Sequence, residues 1–152
     1  MIEGPRRACS REFPGAVAAV EEAELWVSGQ AREIGLNPDA EFAINLCVEE
    51  LFLNAVQHGG ASRVTISVCV AGDGATVEFV DDGAAFDPTA APSKRINGPN
   101  EDFTIGGYGV GLIRKFSRRM SYLRADGANR LVLEFDLSQN NLSSGRIALS
   151  PT

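Results

Sequence analysis

The segment spanning residues 47–60, CVEELFLNAVQHGG, most constrains what this chain can fold into. It forms the second half of a predicted helix over residues 38–58, and its residues are apolar on almost every side of that helix. A helix that is hydrophobic all round is buried in the core of a protein. We therefore expect the rest of the chain to pack around this helix.

Two polar pairs interrupt the apolar surface of this helix, each at a spacing of four residues. They are Asn45 with Glu49, and Glu50 with Asn54. Because each residue advances the helix by about 100°, the pairs lie on nearly opposite sides, and at most one of them faces bulk water. The face of Glu50 carries three further residues: Ala43, Cys47 and His58. We interpret that face as the floor of a functional site, although a solvated pair would give the same spacing.

The composition is that of one soluble domain. The chain has 152 residues, of which 44% are hydrophobic, and its formal net charge is −6. An acidic chain is a poor match for nucleic acid or for an anionic membrane, because both require a basic surface. There is neither a signal peptide pattern nor an apolar run of about 18 residues, so we expect a cytoplasmic protein without a membrane span. The odd number of cysteines (Cys9, Cys47 and Cys69) fits reduced thiols.

Hydrophobic periodicity predicts a single α+β domain over residues 1–137, followed by a polar tail over residues 138–152. The helices are expected at residues 17–34, 38–58 and 107–120, and the strands at residues 10–13, 63–70, 76–80, 122–125 and 130–137. A turn is expected at residues 126–129, and a long loop at residues 89–107. Loops of that length inside a compact domain are usually functional or disordered.

A second motif, Asp81-x-Gly83, follows the apolar strand at residues 76–80. It offers a carboxylate at a point where a glycine allows a close approach to the backbone. An ordinary surface turn would also contain Asp and Gly, so the motif has little weight by itself.

A third motif, Gly107-x-Gly109-x-Gly111, opens the last predicted helix. Backbone N–H groups at a glycine-rich helix start suit a phosphate group, whereas a glycine cluster by itself is more often a flexible connection. The motif is not a P-loop, because no Gly-Lys-Ser/Thr follows, and no buried strand directly precedes it as a Rossmann fingerprint requires.

Together the three motifs resemble the nucleotide-binding boxes of the GHKL (Bergerat-fold) ATPases. The similarity is closest to the anti-sigma factor serine/threonine kinases. It is carried by VEELFLNAVQHG at residues 48–59, VDDGAAFDP at residues 80–88, GGYGVGL at residues 106–112 and GANRL at residues 127–131. It spans residues 13–137. The resemblance implies a two-layer α/β sandwich with a mixed, mostly antiparallel sheet that is covered on one face by about three helices.

The resemblance also implies a role for each motif. Glu50 would be the general base, Asn54 would hold Mg²⁺ against the phosphates of ATP, and Asp81 would accept the adenine amino proton. Gly83 would let adenine lie against the backbone. The phosphates would be bound by the start of the third helix: Gly107, Tyr108, Gly109, Val110, Gly111 and Leu112. A lid over residues 86–107 would close the site, where Lys94 and Arg95 would either balance charge or remain solvated.

Three positions depart from the family pattern. Ala85 replaces a glycine of the second box, residues 130–135 supply no threonine hydroxyl beside adenine, and Arg118 replaces an acidic residue. The first two bear on nucleotide affinity, and the third on partner contacts.

The implied function is an anti-sigma factor kinase, expected to be a homodimer. It would phosphorylate an anti-anti-sigma (STAS-domain) partner and sequester a sigma factor. The alternatives are a non-catalytic, ATP-dependent binding module and a domain that has lost nucleotide binding; a base at Glu50 favours the kinase. A histidine kinase is disfavoured, because the single histidine, His58, lies in the nucleotide-box helix.

Overall fold

A computed structural model describes residues 7–90 and 108–137 of the chain. Its elements, in chain order, are β1 (Arg7–Pro14), α1 (Val20–Glu33), α2 (Pro38–Leu53), β2 (Arg63–Ala71), β3 (Gly74–Asp81), α3 (Tyr108–Phe116), β4 (Arg119–Ala125) and β5 (Ala128–Asp136). A 3₁₀ turn precedes α1, and a π-helical turn, Asn54–His58, continues α2. Of the loop predicted at residues 89–107, residues 91–107 lie outside the described residues, as does the predicted tail at residues 138–152.

The five strands form one sheet in the order β1-β2-β3-β5-β4, and every pairing between them is antiparallel. The buried strand residues alternate with partly exposed ones, as on Val64, Ile66 and Val68 of β2, so one face of the sheet is covered. The three helices pack on that face. The two-layer α+β architecture is therefore confirmed, with a sheet that is wholly antiparallel rather than mixed over the described residues.

The core joins the sheet to the central helix through aromatic rings. Phe52 of α2 makes edge-to-face contacts with Phe13 of β1 and Phe79 of β3, at centroid distances of 6.3 and 6.4 Å. Fully buried aromatic side chains contribute much of the hydrophobic stabilisation of a small domain. The apolar pattern of α2 thus has the predicted consequence, because the helix is enclosed by the sheet, α1 and α3.

The junction of α1 and α2 follows the local rules that the sequence suggested. Gly35 takes a positive φ of 86° after α1, and the amide of Leu36 donates to the carbonyl of Ala31. The side chain of Asn37 then accepts a hydrogen bond from the amide of Ala40 at 2.8 Å, with Pro38 in the first turn of α2. These two caps end α1 and begin α2.

Two predicted boundaries near the C-terminal hairpin were wrong. The third helix ends at Phe116 rather than near residue 120, because the amide of Arg118 already donates to Glu134 of β5. The hairpin turn is shorter than predicted, because Asp126 and Gly127 both adopt positive φ and form a two-residue connection. Asn129 consequently lies inside β5, not in the turn.

Within residues 7–90 and 108–137, no helix is long and apolar enough to cross a membrane.

Candidate functional site

Glu50 is a buried carboxylate on α2, with only 7% of its surface exposed. Its Oε1 accepts a hydrogen bond from the backbone amide of Gly109, at 2.8 Å, in the first turn of α3. The N-terminus of a helix carries partial positive charge and unpaired N–H groups, so it stabilises an anion there. The face of Glu50 therefore points into the protein and toward the glycine-rich helix start, as the sequence predicted.

Gly109 is also required by packing. A Cβ atom built on it would lie 2.6 Å from the carbonyl carbon of Leu46 and 2.6 Å from the amide nitrogen of Cys47. Because both atoms belong to the backbone of α2, neither can move aside easily. The glycine thus lets α3 cross α2 at contact distance and brings the α3 amides to Glu50.

The described part of the third motif is helical from Tyr108, and Gly107 lies outside the described residues. Val110 is buried, whereas Gly111 and Leu112 are half-buried. These residues form the start of α3, which packs against α2. Among them, Gly109 contacts another predicted site residue directly, through its hydrogen bond to Glu50.

Asn54 stands where α2 passes into its π-helical turn. The amide of Gly59 donates to the carbonyl of Asn54 at 2.9 Å, which closes the wider turn. Such turns are rare in helices and are frequent at functional sites. The Asn54 side chain is half-buried and accepts or donates no hydrogen bond among the described residues. Its amide oxygen is the type of ligand that suits Mg²⁺, which takes few protein ligands and several oxygens from water and phosphate.

Asp81 ends β3 with 8% of its surface exposed, and its Oδ1 accepts a hydrogen bond from the amide of Gly83 at 2.9 Å. A Cβ atom on Gly83 would lie 3.0 Å from the carbonyl oxygen of Gly59 and 3.2 Å from that of Ala55. The amide of Ala84 also donates to Gly59 at 2.9 Å. The second motif is therefore packed directly on the π-helical turn that Asn54 begins.

The three motifs meet along one helix. The start of α3 contacts α2 around Leu46 and Glu50, whereas Gly83 contacts the π-helical turn at Ala55 and Gly59. From Leu46 to Ala55 the helix rises by roughly 13 Å at about 1.5 Å per residue. The start of α3 and the segment that follows Asp81 thus contact α2 and its π-helical turn at two different positions, and Asn54 lies between Glu50 and Ala55 along that helix.

Asn129 is a site residue that the sequence interpretation missed. It is the direct cross-strand partner of Asp81, so both side chains lie on the helix-covered face of the sheet. Its Nδ2 donates to Oδ1 of Asp81 at 3.0 Å and to the carbonyl of Ala84 at 2.8 Å. The Asp-Gly pair at residues 126–127 is a known hairpin signal that could have placed Asn129 in the strand. Asn129 directly precedes residues 130–135, which supply no threonine hydroxyl.

Comparison with known proteins decides the family. The model of the histidine kinase-like ATPase domain matches residues 13–135. The chain belongs to this family. It is 30% identical over 126 residues to the serine/threonine-protein kinase BtrW of Bordetella bronchiseptica, which covers 80% of this chain and 89% of that protein.

A solved structure shows the same fold as this ATPase domain. It contains the RsbU and RsbW domains of a Mycobacterium tuberculosis protein and superposes with a TM-score of 0.57 at 14% identity. The match covers 86% of this chain and 32% of that longer one.

Arg124 completes a polar row at the end of the ATPase sheet. It pairs with Asn129 across β4 and β5, as Asn129 pairs with Asp81 across β5 and β3. Its guanidinium donates to the carbonyl of Gly83 at 2.6 Å. These three residues occupy positions that are apolar farther along the strands, where Phe79 pairs with Leu131. The row therefore marks where the hydrophobic core gives way to the site.

Asp82 holds the other side of the second motif. It accepts hydrogen bonds from the Ser62 hydroxyl at 2.5 Å, the Ser62 amide at 2.7 Å and the Arg63 amide at 3.0 Å. The Ser62 hydroxyl, followed by the Arg63 amide, lowers the pKa of Asp82 to about 2. Asp81 and Asp82 thus differ in role, because Asp82 fastens β3 to the start of β2.

The first residues after the second motif are fastened to α3. Oδ1 of Asp87 accepts hydrogen bonds from the amide and hydroxyl of Thr89, and Arg114 donates to the carbonyl of Thr89 at 2.8 Å. The predicted lid therefore begins from a fixed point. Lys94 and Arg95 lie outside the described residues.

The polar pair on the opposite side of α2 faces α1. The amide of Asn45 hydrogen-bonds the hydroxyl of Ser28, and Glu49 is exposed. Burial raises the pKa of Glu24 on α1, and the charge of Glu49 adds to the rise. This pair belongs to the α1–α2 contact and not to the site.

Two other residues considered in the sequence analysis, His58 and Arg118, lie away from the proposed site. His58 is exposed at the end of the π-helical turn. Arg118 lies 3.8 Å from Glu134 and, with Arg114 and Arg119, lines a concavity of about 520 Å³ between α3 and β4. That concavity contains none of the predicted site residues, so we assign the site from the hydrogen-bonded motifs instead.

Proposed function

We propose that this ATPase domain is a serine/threonine kinase that uses Mg²⁺-ATP to phosphorylate an anti-anti-sigma protein of the STAS type. The proposal extends to a sigma factor as the second partner, bound on another surface. It is supported by the membership in the histidine kinase-like ATPase family and by the similarity to a protein named as a serine/threonine kinase. The residue-level resemblance to anti-sigma factor kinases supports the choice of partners.

The observation that carries the kinase proposal is the contact between Glu50 and Gly109. A carboxylate that only capped a surface helix would be solvated, whereas Glu50 is buried and meets the helix start suited to phosphate. A phosphoryl group bound at that helix start would lie within reach of the carboxylate. A general base has to be in hydrogen-bonding reach of the proton that it accepts.

In the proposed site, each motif has one task. Asp81 and Gly83 bind the adenine end of the nucleotide, and the amides at the start of α3 bind its phosphates. Asn54 holds Mg²⁺, which when bound with ATP supplies charge neutralisation for the transferable phosphoryl group. Glu50 orients the partner's serine or threonine hydroxyl and accepts its proton. Phosphoryl transfer depends mainly on positioning and charge compensation, so this small set of groups is sufficient.

The surroundings of Glu50 suit a general base whose carboxylate is held in one orientation. Its hydrogen bond to Gly109 fixes one carboxylate oxygen relative to α3. The neighbouring Cys47 is completely buried, and both desolvation and the nearby Glu50 raise the pKa of its thiol, so it stays protonated. Cys47 is therefore a small, uncharged neighbour of Glu50, and its protonated thiol does not compete as a nucleophile with the hydroxyl of the partner protein.

The decisive experiment is transfer of label from γ-³²P-ATP to a candidate STAS-domain protein in the presence of Mg²⁺. We expect label on a partner serine or threonine with the wild-type protein. Glu50→Gln keeps the shape and the acceptor for Gly109, so it should bind ATP normally and reduce transfer by about 10²-fold or more. Glu49→Gln is the matched control, because Glu49 is the adjacent but exposed acid.

Three other results would change the proposal. Full transfer by Glu50→Gln would refute Glu50 as the base. ATP-dependent binding of the partner without any label would support the non-catalytic binding module instead. Absence of ATP binding by the folded wild-type protein would support a domain that has lost its nucleotide.

We further propose a homodimer that uses β1. This strand is at one edge of the sheet, and its outer edge pairs with no other described strand. Unpaired edges offer hydrogen-bonding groups to another chain. Light scattering coupled to size-exclusion chromatography should give twice the mass of 16.2 kDa, and a monomer at micromolar concentration would contradict the proposal.

A further inference from the structure

Asn129 uses every hydrogen-bonding position of its side-chain amide. Nδ2 donates to Asp81 and to the Ala84 carbonyl, while Oδ1 accepts from the Tyr122 hydroxyl at 2.6 Å and from the Phe86 amide at 3.3 Å. An amide side chain has two donor hydrogens and two acceptor lone pairs, so its capacity is filled. Asn129 is also buried, with 6% of its surface exposed.

These four bonds connect three different parts of the fold. Asp81 is the last residue of β3, Ala84 and Phe86 lie in the segment that follows, and Tyr122 is on the edge strand β4. A side chain held at both ends in this way cannot rotate without breaking several buried hydrogen bonds. Asn129 therefore has one orientation, with its donor end toward Asp81.

The carboxylate of Asp81 is held asymmetrically as a result. Both of its hydrogen bonds, from Gly83 and from Asn129, go to Oδ1. Within residues 7–90 and 108–137, no hydrogen bond reaches Oδ2. Torsions about the last bond of an aspartate are broad, so without these two donors the oxygens could turn and exchange.

We propose that Asn129, fixed by Tyr122, is a positioning residue that makes the site selective for an amino-bearing purine. By holding Oδ1 of Asp81, it presents Oδ2 as a pure acceptor to the exocyclic amino group of adenine. A purine with a carbonyl oxygen at that position would face a carboxylate oxygen and be repelled. This inference rests on the proposed function, because it takes Asp81 as the residue that binds adenine.

The test compares the affinities of the protein for ATP and for inosine triphosphate, which has a carbonyl oxygen in place of the amino group. Titration calorimetry at pH 8 with Mg²⁺ gives both dissociation constants. We expect wild type to prefer ATP by about tenfold or more, since a site built to pair with a donor rejects an analogue that lacks it.

Asn129→Asp is the principal variant. It keeps the shape and both acceptor contacts, but it removes the two donors and places a second carboxylate beside Asp81, so the two acids share a proton or move apart. The preference for ATP should fall to within about twofold. Tyr122→Phe removes a single hydroxyl and should lower the preference by about threefold, which keeps the test possible if Asn129→Asp does not fold.

Arg130→Gln is the matched control. Arg130 follows Asn129 on β5, but it is exposed and lies 3.6 Å from Glu78, so its loss should leave the preference unchanged. A folded Asn129→Asp or Tyr122→Phe protein with the wild-type preference would overturn the inference, as would equal weakening of both nucleotides. If wild type bound neither nucleotide, the proposed function itself would fail.

Discussion

The amide of Gly109 and the carboxylate of Glu50 are 59 residues apart in sequence and 2.8 Å apart in the structure. This hydrogen bond ties the start of α3 to the middle of the most deeply buried helix. It depends on the absence of a side chain at Gly109, because α3 could not approach α2 so closely otherwise. The contact links packing and proposed chemistry at one point.

Gly109→Ala should therefore damage both stability and nucleotide binding. The added methyl group meets backbone atoms of α2 at 2.6 Å, so α3 has to shift, at a cost of about 1–3 kcal/mol in the free energy of unfolding. Urea denaturation measures this change, and calorimetry measures ATP affinity.

Gly29→Ala is the control for that substitution. Gly29 lies inside α1, and a Cβ atom there meets nothing within 4 Å. Replacing it should stabilise the protein by about 0.5–1 kcal/mol, because alanine favours a helix. Equal effects of the two substitutions would show that Gly109 has no special packing role.

Asn54→Ala should weaken binding of Mg²⁺-ATP much more than binding of ATP in the presence of a chelator. The reason is that the amide oxygen is proposed to act through the metal and not on the nucleotide. Asn45→Ala, on the opposite side of α2 and in contact with Ser28, should affect stability without changing the effect of Mg²⁺. A Mg²⁺ effect of wild-type size in Asn54→Ala would remove Asn54 from the metal site.

Asp82 should make stability depend on acid pH. Its pKa is lowered to about 2 in the folded protein, from an ordinary value of 3.8, so its contribution is complete above about pH 4 and is lost as the pH falls through about 2. The group is partly solvated, so we expect a contribution of under about 1 kcal/mol. Denaturation of Asp82→Asn at pH 7 and pH 2.5 should show a clearly larger loss of stability at pH 7 than at pH 2.5.

The control for Asp82→Asn is Asp73→Asn in the β2–β3 turn, where the aspartate side chain makes no hydrogen bond within the described residues. Its stability should follow wild type at both pH values. If the loss in the free energy of unfolding caused by Asp82→Asn were the same at pH 7 and pH 2.5, the hydrogen bonds would not favour the charged form of Asp82 over the neutral one.

Cys47 should resist thiol reagents until the protein unfolds. Burial raises the pKa of its thiol, and the thiolate is the form that reacts. Cys9 and Cys69 are partly accessible and should react first at pH 8. Time-resolved labelling should therefore give two thiols before denaturation and the third after it. Cys47→Ala leaves two thiols, and both should react before denaturation; a slow thiol remaining in that protein would assign the protection to Cys9 or Cys69.

Several parts of the fold were predictable because they follow from local rules. The alternation in β2, the glycine after α1 and the capping Asn37 each act within a few residues. Helix geometry predicted that at most one polar pair of α2 faces water, and the small residues Ala43 and Cys47 on the Glu50 face led to the prediction that this face belongs to the site. Asp81 and Gly83 were predicted as site residues from a motif and its resemblance to a known family, and this remains a prediction.

Other features depended on contacts between distant segments. The end of α3 was predicted too late, because the sheet takes up the chain at Arg118 through Glu134. Asn129 was assigned to a turn, and its role became visible only when the register of β3 and β5 set it opposite Asp81. Neither contact produces a periodic pattern of residues from which it could be predicted.

The sequence by itself determined the buried helix, its polar face and the order of the three motifs, because side-chain spacing within one element decides which faces meet water. Only the tertiary structure decided that Gly109 reaches Glu50 and that Asn129 holds Asp81. Those bonds join residues on different elements, and their geometry is set by how closely two backbones approach and by which residues stand opposite each other across a sheet.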